Sequence, residues 1–369
     1  MTTVLRQAAA LEAVLRHIRP AVRRERPYHV GGLPDVAVKL NQNESPYDLP
    51  DDLKRAVLEA FMEIPFNRYP TEQPDRLRHA LARRLEHDPD GLLLSNGSNE
   101  LTYTLGLALV EAGTPVVLPR PLFSLYETMV RLFGGKVVGV PPRPDLHFDA
   151  DALVAAVERH RPALTVLASP NNPTGLAMPL ADIERLAAAA EGFVVVDEAY
   201  VEFNDEPSAR HLLDTYPNVL VMRTFSKAFG LAGLRVGYLM GHPAVVAELL
   251  KARLPFMVDR LAETVALALL ERPELVTARV AELKASRQAL TQALQAIEGV
   301  EVLPSQANFV LFRTPLEPRP LMARLAGKGV LVRDMSGYPE LPGYLRVNAG
   351  TPAENKAFLG ALKEALHPT

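Results

Sequence analysis

From about residue 50 the chain alternates between two hydrophobic spacings. Apolar residues recur every three or four positions over 51–61, 74–86, 101–111, 122–133, 149–159 and 180–190, which predicts helices with one buried stripe. Between them lie short apolar runs at 91–95, 114–118, 136–140, 163–168, 193–197, 219–224 and 236–240, which predict buried strands. Such strands, separated by helices of ten or more residues, predict a largely parallel sheet covered on both faces. Beyond Pro243 the pattern changes. Helical stretches at 244–251, 261–270 and 274–296 precede strand-like runs at 301–303, 309–312, 330–333 and 344–348, with helices at 320–328 and 353–367. The expected fold class is therefore α/β: a large domain over 39–249 with a mostly parallel sheet, and a smaller α+β domain from 1–38 and 250–369. The first 38 residues then form an N-terminal arm.

Within that arm Val4, Ala8, Leu11, Leu15 and Ile18 follow helical spacing, with Arg6, Arg16 and Arg19 off the stripe. An organelle presequence shares this pattern, but Glu12 and Glu25 argue against one and for an ordered helix. A chain of 369 residues is longer than a single hydrophobic core usually supports, in keeping with two domains. Hydrophobic residues at 48% and charged residues at 22% indicate a globular protein. A net charge of −3 without a long basic run argues against a nucleic-acid surface as the main function. The absence of cysteine excludes disulfides, thiolate zinc sites and thiol nucleophiles, and no metal site is expected. Apolar runs such as 105–110 and 265–270 fall far below the ~18 residues of a membrane span.

The chemistry gathers at the ends of the expected strands. Lys227 lies just past one of them, with Thr224 and Ser226 upstream and Arg235 downstream. An amine that forms an imine must be held out of bulk water and near cationic charge, which favours its neutral form. Thr224, Ser226 and Arg235 can together bind a phosphate dianion. Asp197 ends a wholly apolar strand, where open parallel sheets place ligands. A carboxylate there can keep a ring nitrogen protonated, and Tyr200 can reach a phenolic oxygen on the same ring. The turn Pro170-Asn171-Asn172-Pro173-Thr174-Gly175 presents its Asn amides, and Gly97-Ser98-Asn99 opens a helix whose first amides suit an anion. Phe123 can stack on a planar group. Each feature has an ordinary alternative: a solvated lysine, a capping Asp or Ser, a plain turn, a core Phe. Their common position at strand exits favours a single site.

These segments carry a resemblance. Leu40-Asn41-Gln42-Asn43-Glu44-Ser45-Pro46, Asn67-Arg68-Tyr69-Pro70, the turn at 170–175, 195–200 (VVDEAY), 226–238 (SKAFGLAGLRVGY) and 345–351 (LRVNAGT) are similar to the fold-type I pyridoxal-phosphate-dependent aminotransferases of class I/II. The match covers nearly the whole chain. It implies pyridoxal 5'-phosphate as cofactor, carried by Lys227 as a Schiff base, with Lys227 also moving the substrate proton. It implies Asp197 on the pyridine nitrogen, Asn172 and Tyr200 on the ring oxygen, and Phe123 on the ring face. Ser98, Asn99, Thr224, Ser226 and Arg235 would hold the cofactor phosphate. Tyr69 would reach that phosphate from a neighbouring subunit, implying a homodimer with shared active sites.

The flanking segments resemble the branch acting on histidinol phosphate with 2-oxoglutarate and glutamate, a cytoplasmic step of histidine biosynthesis. By that likeness Arg346, with Arg333 standing 13 residues before it, would grip the substrate anion, and Tyr28 would close over it. The chain departs from the family at Ser45, where asparagine is frequent, and in a long helix before Tyr28. Rival expectations on the same scaffold are an aromatic amino-acid aminotransferase and an amino-acid-phosphate decarboxylase. A cofactor-binding transcription regulator would need an added DNA-binding domain, and the about 26 residues ahead of the similarity are too few for a helix-turn-helix.

Overall fold

The computed structural model describes residues 3–27 and 36–366. After β1 (Val38–Lys39) come the strands of a central sheet: β2 (Leu92–Ser95), β3 (Pro115–Pro119), β4 (Lys136–Val140), β5 (Leu164–Ala168), β6 (Phe193–Asp197), β7 (Val219–Thr224) and β8 (Gly237–Met240). Their order is β2-β8-β7-β6-β5-β3-β4. Neighbours from β7 to β4 are parallel, and β8 runs antiparallel to both β7 and β2. All seven strands expected from the apolar runs are present, with ends shifted by at most one residue.

Alternation along these strands builds two cores, one on each face. Leu92, Leu94, Val117, Leu167, Val194, Val196, Val219 and Val221 pack on one side. Leu93, Val116, Leu118, Val166, Val195, Leu220 and Met222 pack on the other. Both sets are almost wholly excluded from water, which is why the runs read as continuously apolar. Each such Val or Leu contributes about 1.5–3 kcal/mol by leaving water.

A second sheet follows. β9 (Glu301–Val302), β10 (Phe309–Arg313), β12 (Arg333–Asp334) and β13 (Tyr344–Asn348) form an antiparallel sheet in the order β12-β13-β10-β9. The run expected as one strand at 330–333 is divided. Its first part, β11 (Val330–Leu331), pairs in parallel with β1, whereas β12 pairs with β13. A break at Val332 lets one stretch serve two sheets, a choice of partner that local hydrophobicity does not encode. Val38 and Leu40 share a core with Leu294, Phe312, Leu345 and Phe358 of this second body. Val258, Val265, Leu269 and Leu283 pack instead on the core of the central sheet.

The helix expected at 101–111 spans Ser98–Leu109. Its first turn is polar, so hydrophobic periodicity misses it, yet Gly97 (φ 75°) turns the chain and Glu100 accepts from the Asn96 amide at 2.6 Å. The N-terminal helix is present at Thr3–Leu15, and Leu11 and Ile18 of its stripe remain exposed within one chain. Among the described residues no helix is long and apolar enough to cross a membrane.

A buried ion pair braces the strand ends that carry the chemistry. Glu198, next to Asp197, accepts from Arg223 Nε at 2.9 Å, from Ser208 Oγ and from the Ala209 amide at 2.7 Å. Glu198→Ala leaves Arg223 buried without this partner. We expect unfolding free energy to fall by about 3–5 kcal/mol, read in urea denaturation; a midpoint like that of the wild type would contradict it.

Candidate active site

The parallel strands β3, β5, β6 and β7 all end at one cavity of about 810 Å³. Its walls include Phe123 after β3, Asn172 after β5, Asp197 and Tyr200 at the end of β6, and Ser226 and Lys227 after β7. Ser98 and Asn99 enter from the strand-to-helix turn after β2, and Arg235 from the approach to β8. The placement follows from the sheet, because side chains at carboxyl ends escape the flanking helices. The opposite wall comes from the other body: Arg333 on β12, Arg346 on β13, and the segment Asn41–Glu44.

Lys227 is half-buried and lines this cavity. Burial, reinforced by Arg346 and then Arg235, brings its amine from 10.5 down to about 8. Its Nζ donates to the Gln42 carbonyl at 3.2 Å and lies 5.9 Å from the centre of the Tyr200 ring. Asp197 lines the same cavity and acts electrostatically on Lys227. Burial pushes the Asp197 carboxyl up, while hydrogen bonds from Tyr126 and the Ala199 amide oppose that rise. The Tyr126 hydroxyl donates to Asp197 Oδ2 at 2.6 Å, and the Ala199 amide donates to Oδ1 at 3.1 Å.

Beside them lies a cup for an anion. The Thr224 hydroxyl donates to Ser226 Oγ at 3.0 Å, and Arg235 donates to Ser226 Oγ at 3.3 Å and to the Ala232 carbonyl. Arg235 sits in the left-handed region (φ 55°), a conformation a non-glycine residue rarely takes without cause. The cup is too close-packed for side chains at its glycines. A Cβ at Gly97 would lie 2.2 Å from Arg235 Nη2, and one at Gly237 would lie 2.5 Å from the Ser98 amide nitrogen. Hydroxyls, a guanidinium and the start of the helix Ser98–Leu109 thus surround a space suited to a phosphate.

Residues 35–362 match the profile of Aminotransferase class I and II. The chain belongs to this family. It is 43% identical to a histidinol-phosphate aminotransferase of Chlorobaculum parvum over 94% of this chain and 97% of that one. It is 41% identical to the protein of the same name from Chlorobium phaeovibrioides, over 95% and 97%. Among solved structures it is similar to the histidinol-phosphate aminotransferase of Sinorhizobium meliloti in complex with pyridoxal-5'-phosphate, with a TM-score of 0.86, 28% identity and coverage of 95% and 97%. It is also similar to L-threonine-O-3-phosphate decarboxylase from Porphyromonas gingivalis, with a TM-score of 0.78, 26% identity and coverage of 89% and 99%.

The rest of the aminotransferase site is ordered by hydrogen bonds whose direction is informative. Asn43 Nδ2 donates to the Tyr200 hydroxyl oxygen at 2.9 Å, so the Tyr200 proton serves another acceptor. Arg346 Nη1 donates to Asn172 Oδ1 at 2.5 Å, which assigns the donor side of that amide to the remaining contacts. Phe123 meets Tyr126 edge-on, with ring centroids 6.5 Å apart. Arg346 also lies over the Phe309 ring at 5.2 Å. Two sequence-derived residues stand apart from this group. Tyr69 is 80% exposed and stacks on Phe256 instead of lining the cavity, and Tyr28 lies outside the described residues.

Tyr126, Asn43, Gln42 and Thr102 were not singled out from the sequence. Asn43 and Gln42 lie within the segment 40–46, whose contacts across the cavity are invisible without the fold. Tyr126 stands three residues after Phe123, a helical spacing that reads equally well as core. For Lys227 we expect pulsed acetylation of the cofactor-free protein, followed by peptide mass spectrometry, to rise with a midpoint near pH 8. A midpoint near that of an ordinary lysine would contradict the electrostatic account of the site.

Proposed function

We propose that this aminotransferase moves the amino group of L-histidinol phosphate to 2-oxoglutarate, giving imidazole-acetol phosphate and L-glutamate. On this reading pyridoxal 5'-phosphate is the cofactor, and the protein serves histidine biosynthesis in the cytoplasm. The observation that carries the substrate is the register of β12 and β13, in which Arg333 stands directly opposite Arg346. Like charges at facing positions repel, and a dianion bound between them relieves that cost. A phosphate monoester carries the second negative charge that a single carboxylate lacks. The names of the relatives that are 43% and 41% identical support the same choice.

When bound, the cofactor supplies an aldehyde for exchange with amines and a ring that accepts electron density from the substrate Cα. The chain's own groups do the rest. Lys227 Nζ, with its lowered affinity for protons, is the nucleophile towards that aldehyde. With the cofactor bound, the same amine would be placed to take the substrate Cα proton and return it. Asp197 would hold positive charge at the ring nitrogen. Tyr200 and Asn172 would donate to the ring oxygen, and Phe123 would cover one ring face. Ser98, Asn99, Thr224, Ser226 and Arg235 hold the cofactor phosphate, which keeps the phosphate of the substrate for Arg333 and Arg346. Tyr28 is assigned to closing the substrate side.

The proposed assembly is a homodimer in which Tyr69 reaches the partner's phosphate cup. Tyr69 does not line its own cavity and stacks on Phe256, and Met62, Phe66 and Leu254 are likewise exposed. Apolar exposure of this kind usually marks an interface. Mixing Tyr69→Ala and Lys227→Ala proteins, each expected to be nearly inactive, should therefore restore activity as subunits exchange; failure to recover activity in verified mixed dimers would remove the shared site.

Substrate choice is tested with purified protein and spectral conversion of the bound cofactor to its amine form. Rapid conversion by histidinol phosphate is expected. No conversion by it, with fast conversion by phenylalanine, would assign an aromatic aminotransferase instead, and carbon dioxide release from an amino-acid phosphate would assign a decarboxylase. Arg333→Ala should lower kcat/KM for histidinol phosphate about 10- to 100-fold, as for loss of a hydrogen bond to a charged group, while changing the glutamate half-reaction only a few fold. Equal losses for both would refute this division of labour.

A further inference from the structure

The Tyr126 hydroxyl makes the shortest hydrogen bond to Asp197, 2.6 Å. Tyr126 is buried, at 1% exposure, so this bond is not shared with bulk water. The Tyr126 hydroxyl donates to Asp197 Oδ2, which accepts its proton best as a carboxylate. The Ala199 amide donates to the other carboxylate oxygen, so each oxygen has one fixed donor and keeps an outward lone pair.

We infer that Tyr126 is a positioning residue: its hydroxyl keeps the Asp197 carboxylate ionised and turned towards the cavity, ready to hold charge on the cofactor ring. This inference rests on the assignment of Asp197 to the ring nitrogen. Three ionisable groups act on the carboxylate: Tyr126 from the helix Leu125–Phe133, Lys227 from the loop after β7, and Glu198 beside it in the chain. Lys227 favours the ionised form and Glu198 opposes it. Burial disfavours it most strongly, and the Tyr126 bond is the largest opposing influence. Lys227 also becomes occupied once the cofactor is bound. The Tyr126 hydroxyl then becomes the principal side-chain support for the charge.

The test compares holoenzyme of the wild type, Tyr126→Phe and Asp197→Asn by equilibrium dialysis of the cofactor and by kcat, each between pH 5 and pH 9. Tyr126→Phe retains the ring and removes only the hydroxyl. Its cofactor dissociation constant should rise about tenfold near neutral pH, and the acid limb of both profiles should move up by about one to two pH units. A merely structural role would lower the melting temperature without moving that limb. An unmoved acid limb in Tyr126→Phe, with Asp197→Asn strongly impaired, would overturn the inference and leave the role of Asp197 standing. Full cofactor affinity and rate in Asp197→Asn would instead overturn that role. Should Tyr126→Phe fail to fold, Tyr126→Leu, which also removes the hydroxyl, provides the same test with a shift in the same direction. A folded Tyr126→Leu with the wild-type limb would then refute the inference.

Discussion

Positive charge held out of water organises this site. Lys227, Arg235 and Arg346 converge on one cavity that Glu44 and Asp197 also line, and both carboxylates favour the charged form of Lys227. Burial and the two guanidiniums make the charged form of Lys227 costly and so favour the neutral amine. The same charges make the cavity a receptor for anions. On the proposed function, a phosphate would satisfy Arg235 and a second anion the arginine pair of the antiparallel sheet, so that amine chemistry and phosphate selectivity would derive from one electrostatic arrangement.

That arrangement depends on two bodies meeting along one strip of chain. The Asn348 amide donates to the Leu40 carbonyl, Asn308 Nδ2 donates to the Asn43 carbonyl at 3.2 Å, and Arg346 Nη2 donates to the Asn41 carbonyl at 3.3 Å. Residues 40–43 are thereby fixed to the antiparallel sheet while Gln42 and Asn43 bond Lys227 and Tyr200 of the central one. Movement of either body would alter the amine, the ring-oxygen donor and the anion grip together. Such coupling suits a reaction in which substrate must be held before its proton is moved.

Behind the groups that face the cavity lies a layer that sets their orientation. Asn43 directs Tyr200, Arg346 directs Asn172, Tyr126 directs Asp197, and Thr224 with Arg235 directs Ser226. Prearranged donors need little reorganisation when charge develops, which is where buried polar groups gain most over water. The glycines at 97 and 237 complete the layer by letting backbone and guanidinium approach closer than any side chain would permit.

By itself the sequence determined the strands of the central sheet, because strands buried on both faces must be continuously apolar and their ends are marked by polar residues. It also marked Lys227, Asp197, Asn172, Tyr200, Ser226 and Arg235, which lie in short local motifs and which the fold brings to one cavity. Pairing across long separations was beyond it. The division of 330–333 between two sheets, the register placing Arg333 against Arg346, and the bonds of Asn43 and Tyr126 to partners 157 and 71 residues away were decided by the tertiary structure. The physical reason is that a residue's periodicity reports whether it is buried, whereas its partner depends on which elements pack together, and that choice belongs to the whole chain.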